Sequence, residues 1–133
     1  MKYIIDTNIL FSALYDMDSN AGKLLMLAIE GDIKLLSTED IKSEMKEILV
    51  KKLNYSQSEV DELIKALPIE WIERGIYDDA MEGALKLLPD EADASLIACA
   101  SLFHCVILTG DKKILSTKFK KVRVQKLRDA IEK

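Results

Sequence analysis

Two short runs that are apolar at nearly every residue, each closing on an aspartate, lie near opposite ends of the chain. Tyr3-Ile4-Ile5 leads into Asp6, and Val106-Ile107-Leu108-Thr109 leads into Gly110-Asp111. A run without polar alternation suits a strand covered on both faces, as in a parallel sheet. Parallel neighbours need long crossovers, usually helical, and the intervening sequence supplies them. Leu24, Leu25, Leu27, Ala28 and Ile29 recur at helical spacing before Gly31, and Ile41, Met45, Ile48 and Leu49 share one face behind a Ser37 or Thr38 cap. A helix opened by Ser56 or Ser58 with Glu59 runs through Ala66 and stops at Pro68, and helical pattern returns over Asp78–Leu88 and again from Ala92 to about Leu102. Lys34–Ser37, Ile69–Ile72 and Val122–Val124 read as further strands, and Leu127–Ile131 as a terminal helix. The predicted fold is α/β, a three-layer α/β/α sandwich around a parallel sheet with right-handed crossovers. At 133 residues the chain is expected to form a single domain spanning 1–133.

Composition narrows the chemistry. The only histidine, His104, rules out a site needing two imidazoles, and a serine or cysteine nucleophile would lack a second candidate base. Cys99 and Cys105 form no Cys-x-x-Cys motif and lie in apolar stretches, where free cysteine packs as a small hydrophobe. The opening Met1–Asp6 meets an acid after a short apolar run, so neither a signal peptide nor a membrane span is expected, and the expected location is the cytoplasm. The net charge of −4 conceals two halves of opposite sign. Residues 1–110 carry 10 Lys and Arg against 20 Asp and Glu, whereas residues 111–133 carry 9 against 3. The basic tail is either a solubilising surface or a contact for phosphates.

In an open parallel sheet, ligands bind beyond the carboxyl ends of the strands, near the point where strand order reverses. Asp6 and Asp111 stand at two such ends, although each can equally cap a following helix. Asp93 lies within an apolar arc, with Leu96, Ile97 and Ala100 at i+3, i+4 and i+7, while Asp90 and Glu91 already provide first-turn negative charge. Glu44 borders the apolar face of its helix, and Glu47 points further towards solvent. Carboxylates within about 5 Å of one another repel by several kcal/mol at an effective dielectric of about 20, so such a group must be protonated or bound to metal. All-oxygen donors suit Mg²⁺ or Mn²⁺, which can activate water towards a phosphodiester without a protein nucleophile.

These residues resemble those of the PIN-domain ribonucleases nearly from end to end. The resemblance is carried by Ile4-Ile5-Asp6-Thr7-Asn8-Ile9-Leu10, by Ser37 to Leu49 around Glu44, by Asp90-Glu91-Ala92-Asp93-Ala94-Ser95-Leu96-Ile97-Ala98, and by Val106-Ile107-Leu108-Thr109-Gly110-Asp111. It implies a Mg²⁺- or Mn²⁺-dependent endoribonuclease whose acidic metal positions are Asp6, Glu44, Asp93 and Asp111, with Glu47 as the alternative to Glu44. By the same resemblance Thr7, Asn8 and Thr109 support the site or its substrate, and Asp90 is a further acid. The small size resembles the toxin halves of toxin–antitoxin pairs, implying a small antitoxin partner and a homodimer with RNA as substrate. Lys112, Lys113, Lys120 and Lys121 are the candidate RNA contacts in the basic tail. Two other functions compete. A haloacid-dehalogenase-type phosphatase also begins with an aspartate after an apolar strand, but it wants a second aspartate two residues on, where this chain has Asn8. A catalytically silent RNA-binding or assembly module would be expected to have lost acids, and all four are present.

Overall fold

The structure, a computed structural model, describes residues 1–117, 119 and 122–131. Its elements are β1 (Lys2–Ile5), α1 (Thr7–Tyr15), α2 (Asn20–Ile29), β2 (Lys34–Thr38), α3 (Glu39–Lys51), α4 (Gln57–Ala66), β3 (Ile69–Ile72), α5 (Arg74–Leu87), α6 (Glu91–Phe103), β4 (Val106–Leu108), α7 (Lys112–Ser116), β5 (Arg123–Gln125) and α8 (Leu127–Ile131). The strands form one sheet in the order β3-β2-β1-β4-β5, with every neighbouring pair parallel. Central β1 places Tyr3 opposite both Leu35 and Val106, and Tyr3, Ile4 and Ile5 are all buried, as continuous apolar strands require. Helices complete the α/β/α layers: α1 packs on α2, α2 on α8, and α5 on α6.

Local sequence explains most element ends. Thr38, rather than Ser37, caps α3 by accepting from Ile41 N–H, and Ser56 with Glu59 forms a reciprocal capping box at α4. Gly31, just past α2, has φ of 88°, the left-handed backbone that glycine adopts without steric cost. Helix α5 is the main departure from expectation. It starts at Arg74, a turn before the 78–88 pattern, because Asp40 on α3 draws in both Arg74 (Nη1 to Oδ1, 2.9 Å) and the hydroxyl of buried Tyr77. Apolar periodicity carries no trace of that polar anchor.

The turn from α1 to α2 is unusually close. Asp16 and Ser19 fold it back through Ser19 N–H and Oγ, both donating to the Asp16 carbonyl. Gly22 then passes against the backbone of Met17, where an added Cβ would collide with the Met17 carbonyl. Gly22→Ala is therefore expected to cost about 3 kcal/mol, the upper end for overpacking, because a backbone obstacle cannot rotate away. Urea denaturation should show the loss as a lower midpoint at unchanged slope, and a shift under about 0.5 kcal/mol would mean that the turn opens freely.

Candidate active site

Strand order reverses between β1 and β4, since successive strands grow outward from β1 through β2 to β3 and then restart on its other side with β4. At such a switch point ligands are expected in a crevice beyond the strand ends, here past Ile5 and Leu108, and Asp6 and Thr109 are the next residues along each strand.

Asp6 is buried, at 5% exposure, with both carboxylate oxygens engaged. Oδ1 accepts from Ile9 N–H at 3.0 Å, capping α1, and Oδ2 accepts a short hydrogen bond from Thr109 Oγ1. The same Thr109 hydroxyl accepts from Asp111 N–H at 3.0 Å, so one buried side chain ties the end of β1 to the turn after β4. Asp111 in turn caps α7 through Lys113 N–H. The capping readings of Asp6 and Asp111 are thus both realised, and they are compatible with a further role because a carboxylate has about four acceptor positions.

Thr7, also buried, donates from Oγ1 to Glu44 Oε1 at 2.6 Å. Helix α3 contacts both α1 and α6, which brings Glu44 to the crevice. Glu47 lies on the solvent side and pairs with Lys51 at 3.1 Å, so geometry separates the two glutamates. Asp93 sits half-buried in the first turn of α6, with Leu96, Ile97 and Ala100 buried behind it. Asp90 is exposed and caps α6 by accepting from Asp93 N–H. Asn8 is exposed on the first turn of α1. Lys112 and Lys113 are exposed directly after Asp111, whereas Lys120 and Lys121 lie outside the described residues.

The electrostatics report the same grouping. Burial, offset in part by the bonds from Thr109 and Ile9 N–H, raises the Asp6 carboxyl above its usual range, with Asp111 and Glu44 adding to the rise. Asp93 is pushed up to about 6, chiefly by burial and then by Asp90, Asp111, Glu44 and Asp6. Four acids from four segments therefore feel one another's charge. Among the described residues, however, no three acidic, imidazole or thiol groups converge as a preformed metal cage. An open set of hard oxygen donors with no nitrogen or sulfur fits an ion such as Mg²⁺, which dehydrates reluctantly, keeps several waters and takes one or two carboxylates directly.

Ser95, which periodicity and spacing did not single out, joins α6 to Thr38, the cap of α3. Thr38 Oγ1 and Ser95 Oγ lie 2.7 Å apart and fully buried, and Ser95 also donates to the Ala92 carbonyl. Ser95 thereby acts two residues after Asp93, and Thr38 at the start of the helix bearing Glu44. A serine inside the otherwise apolar run after Ala92 was the available signal.

A family model described as PIN domain matches residues 2–113. The chain belongs to the PIN-domain family. Divalent metal ions are general to PIN domains. The match runs from β1 into the first turn of α7 and takes in all four acids. No curated protein matches the chain. Among solved structures, this PIN domain is similar in fold to a chain of VapBC2 from Rickettsia felis bound to a DNA fragment from their promoter, with 17% identity and a TM-score of 0.67 over 95% of this chain and 98% of that one. It is likewise similar to a chain of DNA-bound VapBC from Salmonella typhimurium, at 12% identity and TM-score 0.66 over 96% and 98%. VapBC-1 from nontypeable Haemophilus influenzae matches at 15% identity and TM-score 0.56 over 96% and 99%. At these identities the likeness concerns the fold. Among the described residues, no helix is long and apolar enough to cross a membrane.

Proposed function

We propose that this PIN domain, acting as one unit over residues 1–133, is a Mg²⁺- or Mn²⁺-dependent endoribonuclease of the cytoplasm, and that Asp6, Glu44, Asp93 and Asp111 hold the ion. The observation that carries this reading is that buried Asp6, held by Thr109, stands at the switch point of the sheet with the Thr7-bound Glu44 alongside, where burial and these acids also raise the half-buried Asp93 carboxyl. Like charges gathered at that place are costly unless a cation or proton offsets them. When bound, a divalent ion supplies charge neutralisation at a phosphodiester and activation of water. The chain's own residues prepare for it. Thr109 orients Asp6 and ties it to the Asp111 backbone, Thr7 orients Glu44, and the Thr38–Ser95 contact fixes the two helices that bear Glu44 and Asp93. Asn8 and Asp90 border the site, Asn8 available to substrate from the surface and Asp90 adding negative charge.

The similar folds belong to proteins described as VapBC complexes. They support the further reading that this chain is the toxin of a toxin–antitoxin pair, restrained by a small antitoxin protein and acting as a homodimer. The test is incubation of a mixed pool of single-stranded and structured RNA, with DNA of matching sequence alongside, in Mg²⁺, Mn²⁺ or EDTA. Internal cleavage of RNA is expected only with metal. Cleavage of DNA alone would reassign the substrate, and no cleavage under any condition would favour a binding module.

A further inference from the structure

The acid crevice has a basic neighbour. Strands β4 and β5 run side by side, and Thr109 N–H donates to the Gln125 carbonyl at 3.2 Å, so the turns that leave the two strands lie against each other at the carboxyl end of the sheet. Between them opens a cleft of about 460 Å³, with Thr109 and Gly110 on one wall and Lys126, Leu127 and Arg128 on the other, and with Lys112 also at its edge. Thr109 is the residue that holds Asp6, and Asp111 follows Gly110, so this cleft and the acid crevice share a wall. Lys112, Lys126 and Arg128 are all exposed, and among the described residues none of them pairs with a carboxylate within 4.0 Å. The change from an acidic body to a basic tail in the sequence is therefore a boundary in space as well, lying across the Thr109–Asp111 turn.

We propose that this cleft binds the sugar–phosphate backbone of a single-stranded RNA, taking phosphates that flank the one at the acid site; this rests on the nuclease reading and gives the substrate a path. Exposed cations spread along an open cleft are poorly suited to a lone phosphate, which calls for buried converging donors. They suit a polyanion, whose binding gains from released counterions. Among the described residues the cleft wall carries no aromatic side chain, so the contact is with the backbone rather than through base stacking, independent of sequence. The acid crevice by itself repels RNA, and the adjoining cations offset that repulsion along the strand.

The experiment measures binding of a fluorescent single-stranded oligouridylate to full-length wild type and to Lys126→Ala/Arg128→Ala, in EDTA so that nothing is cut, over a range of KCl. Both side chains are exposed, so the double variant should melt with the wild type, and its Mn²⁺ affinity by calorimetry should be unchanged. The expected result is weaker binding with a log–log salt slope shallower by about 1.4, two contacts at about 0.7 each on a single strand. Lys126→Glu should weaken binding further than Lys126→Ala. Wild-type affinity and slope in the double variant would overturn the proposal, as would displacement of the RNA by polyglutamate of equal charge, which would mark an acidic-peptide site. A wild type that binds RNA through these residues yet never cuts it would end the nuclease reading alone. One that cuts RNA while the double variant keeps its slope, or that binds no RNA in EDTA, would end this proposal alone, and a wild type that neither binds RNA nor cuts it in Mn²⁺ would end both.

Discussion

Asp93→Asn is expected to lower metal-dependent RNA cleavage by at least about 100-fold and to leave the protein folded. Loss of a group that merely orients a metal ligand costs about 10–100-fold in affinity or activity, and loss of a ligand itself should cost no less. Asparagine keeps the shape of the side chain and its place above Leu96 and Ile97, but removes the charge that Asp6, Glu44, Asp90 and Asp111 all repel. In EDTA near neutral pH the variant should therefore melt at or above the wild-type temperature. Asp6→Asn should match it in lost activity and differ in stability. One asparagine oxygen can still accept from Ile9 N–H, but its NH₂ then faces the Thr109 hydroxyl, which already receives Asp111 N–H and must turn its own proton elsewhere. Initial rates in Mn²⁺ and thermal melts in EDTA decide both cases. A rate within threefold of wild type would place that residue outside the site, and an unfolded variant would assign it a structural role.

How far the candidate site is legible in the sequence depends on the kind of signal each residue leaves. Asp6 and Asp111 follow apolar strands, and strand ends are where a parallel sheet gathers its ligands, so position along the chain placed them. Asp93 was visible as a charge in an apolar arc, and Glu44 as a residue on the border of one, which distinguished it from Glu47 by only one turn's angular drift. The structure separates them by their partners, Thr7 for Glu44 and Lys51 for Glu47. What pattern could not supply were contacts between polar residues of distant segments. Thr109 to Asp6 spans 103 positions, Thr38 to Ser95 spans 57, and Arg74 to Asp40 spans 34. Periodicity reports which face of an element is apolar and is silent about which hydroxyl finds which carboxylate. The early start of α5 leaves no mark in the apolar pattern for the same reason, since Arg74 and Tyr77 answer to Asp40 and not to the apolar stripe. The basic cleft lay half in view: the tail's charge was evident, but only the pairing of β4 with β5 sets Lys126 and Arg128 beside Thr109.

The metal-free protein should lose stability as pH rises from about 4 to above 6, and divalent metal should reverse that loss. The Asp93 carboxyl is raised from 3.8 to about 6 in the folded chain, and Asp6 is raised as well. Within that window the folded state keeps protons that the unfolded state has released, so stability must fall with increasing pH. Below the window both states are protonated and the difference vanishes. Bound metal takes the place of the protons and favours the ionised site, so its effect should be slight near pH 4.5 and large near pH 7.5. At 100 times its dissociation constant, an ion that binds only the folded state adds about 2.7 kcal/mol, which for a chain of this size raises the melting temperature by on the order of 10 °C. Melts at pH 4.5 and 7.5, with EDTA and with Mn²⁺, measure all four corners. Asp93→Asn should flatten the EDTA slope and reduce the gain from metal, because one change removes both the proton and the ligand. If the wild type in EDTA holds its melting temperature across the window and gains nothing from Mn²⁺ at pH 7.5, the four acids share no ion, and Asp6 and Asp111 are left as helix caps alone.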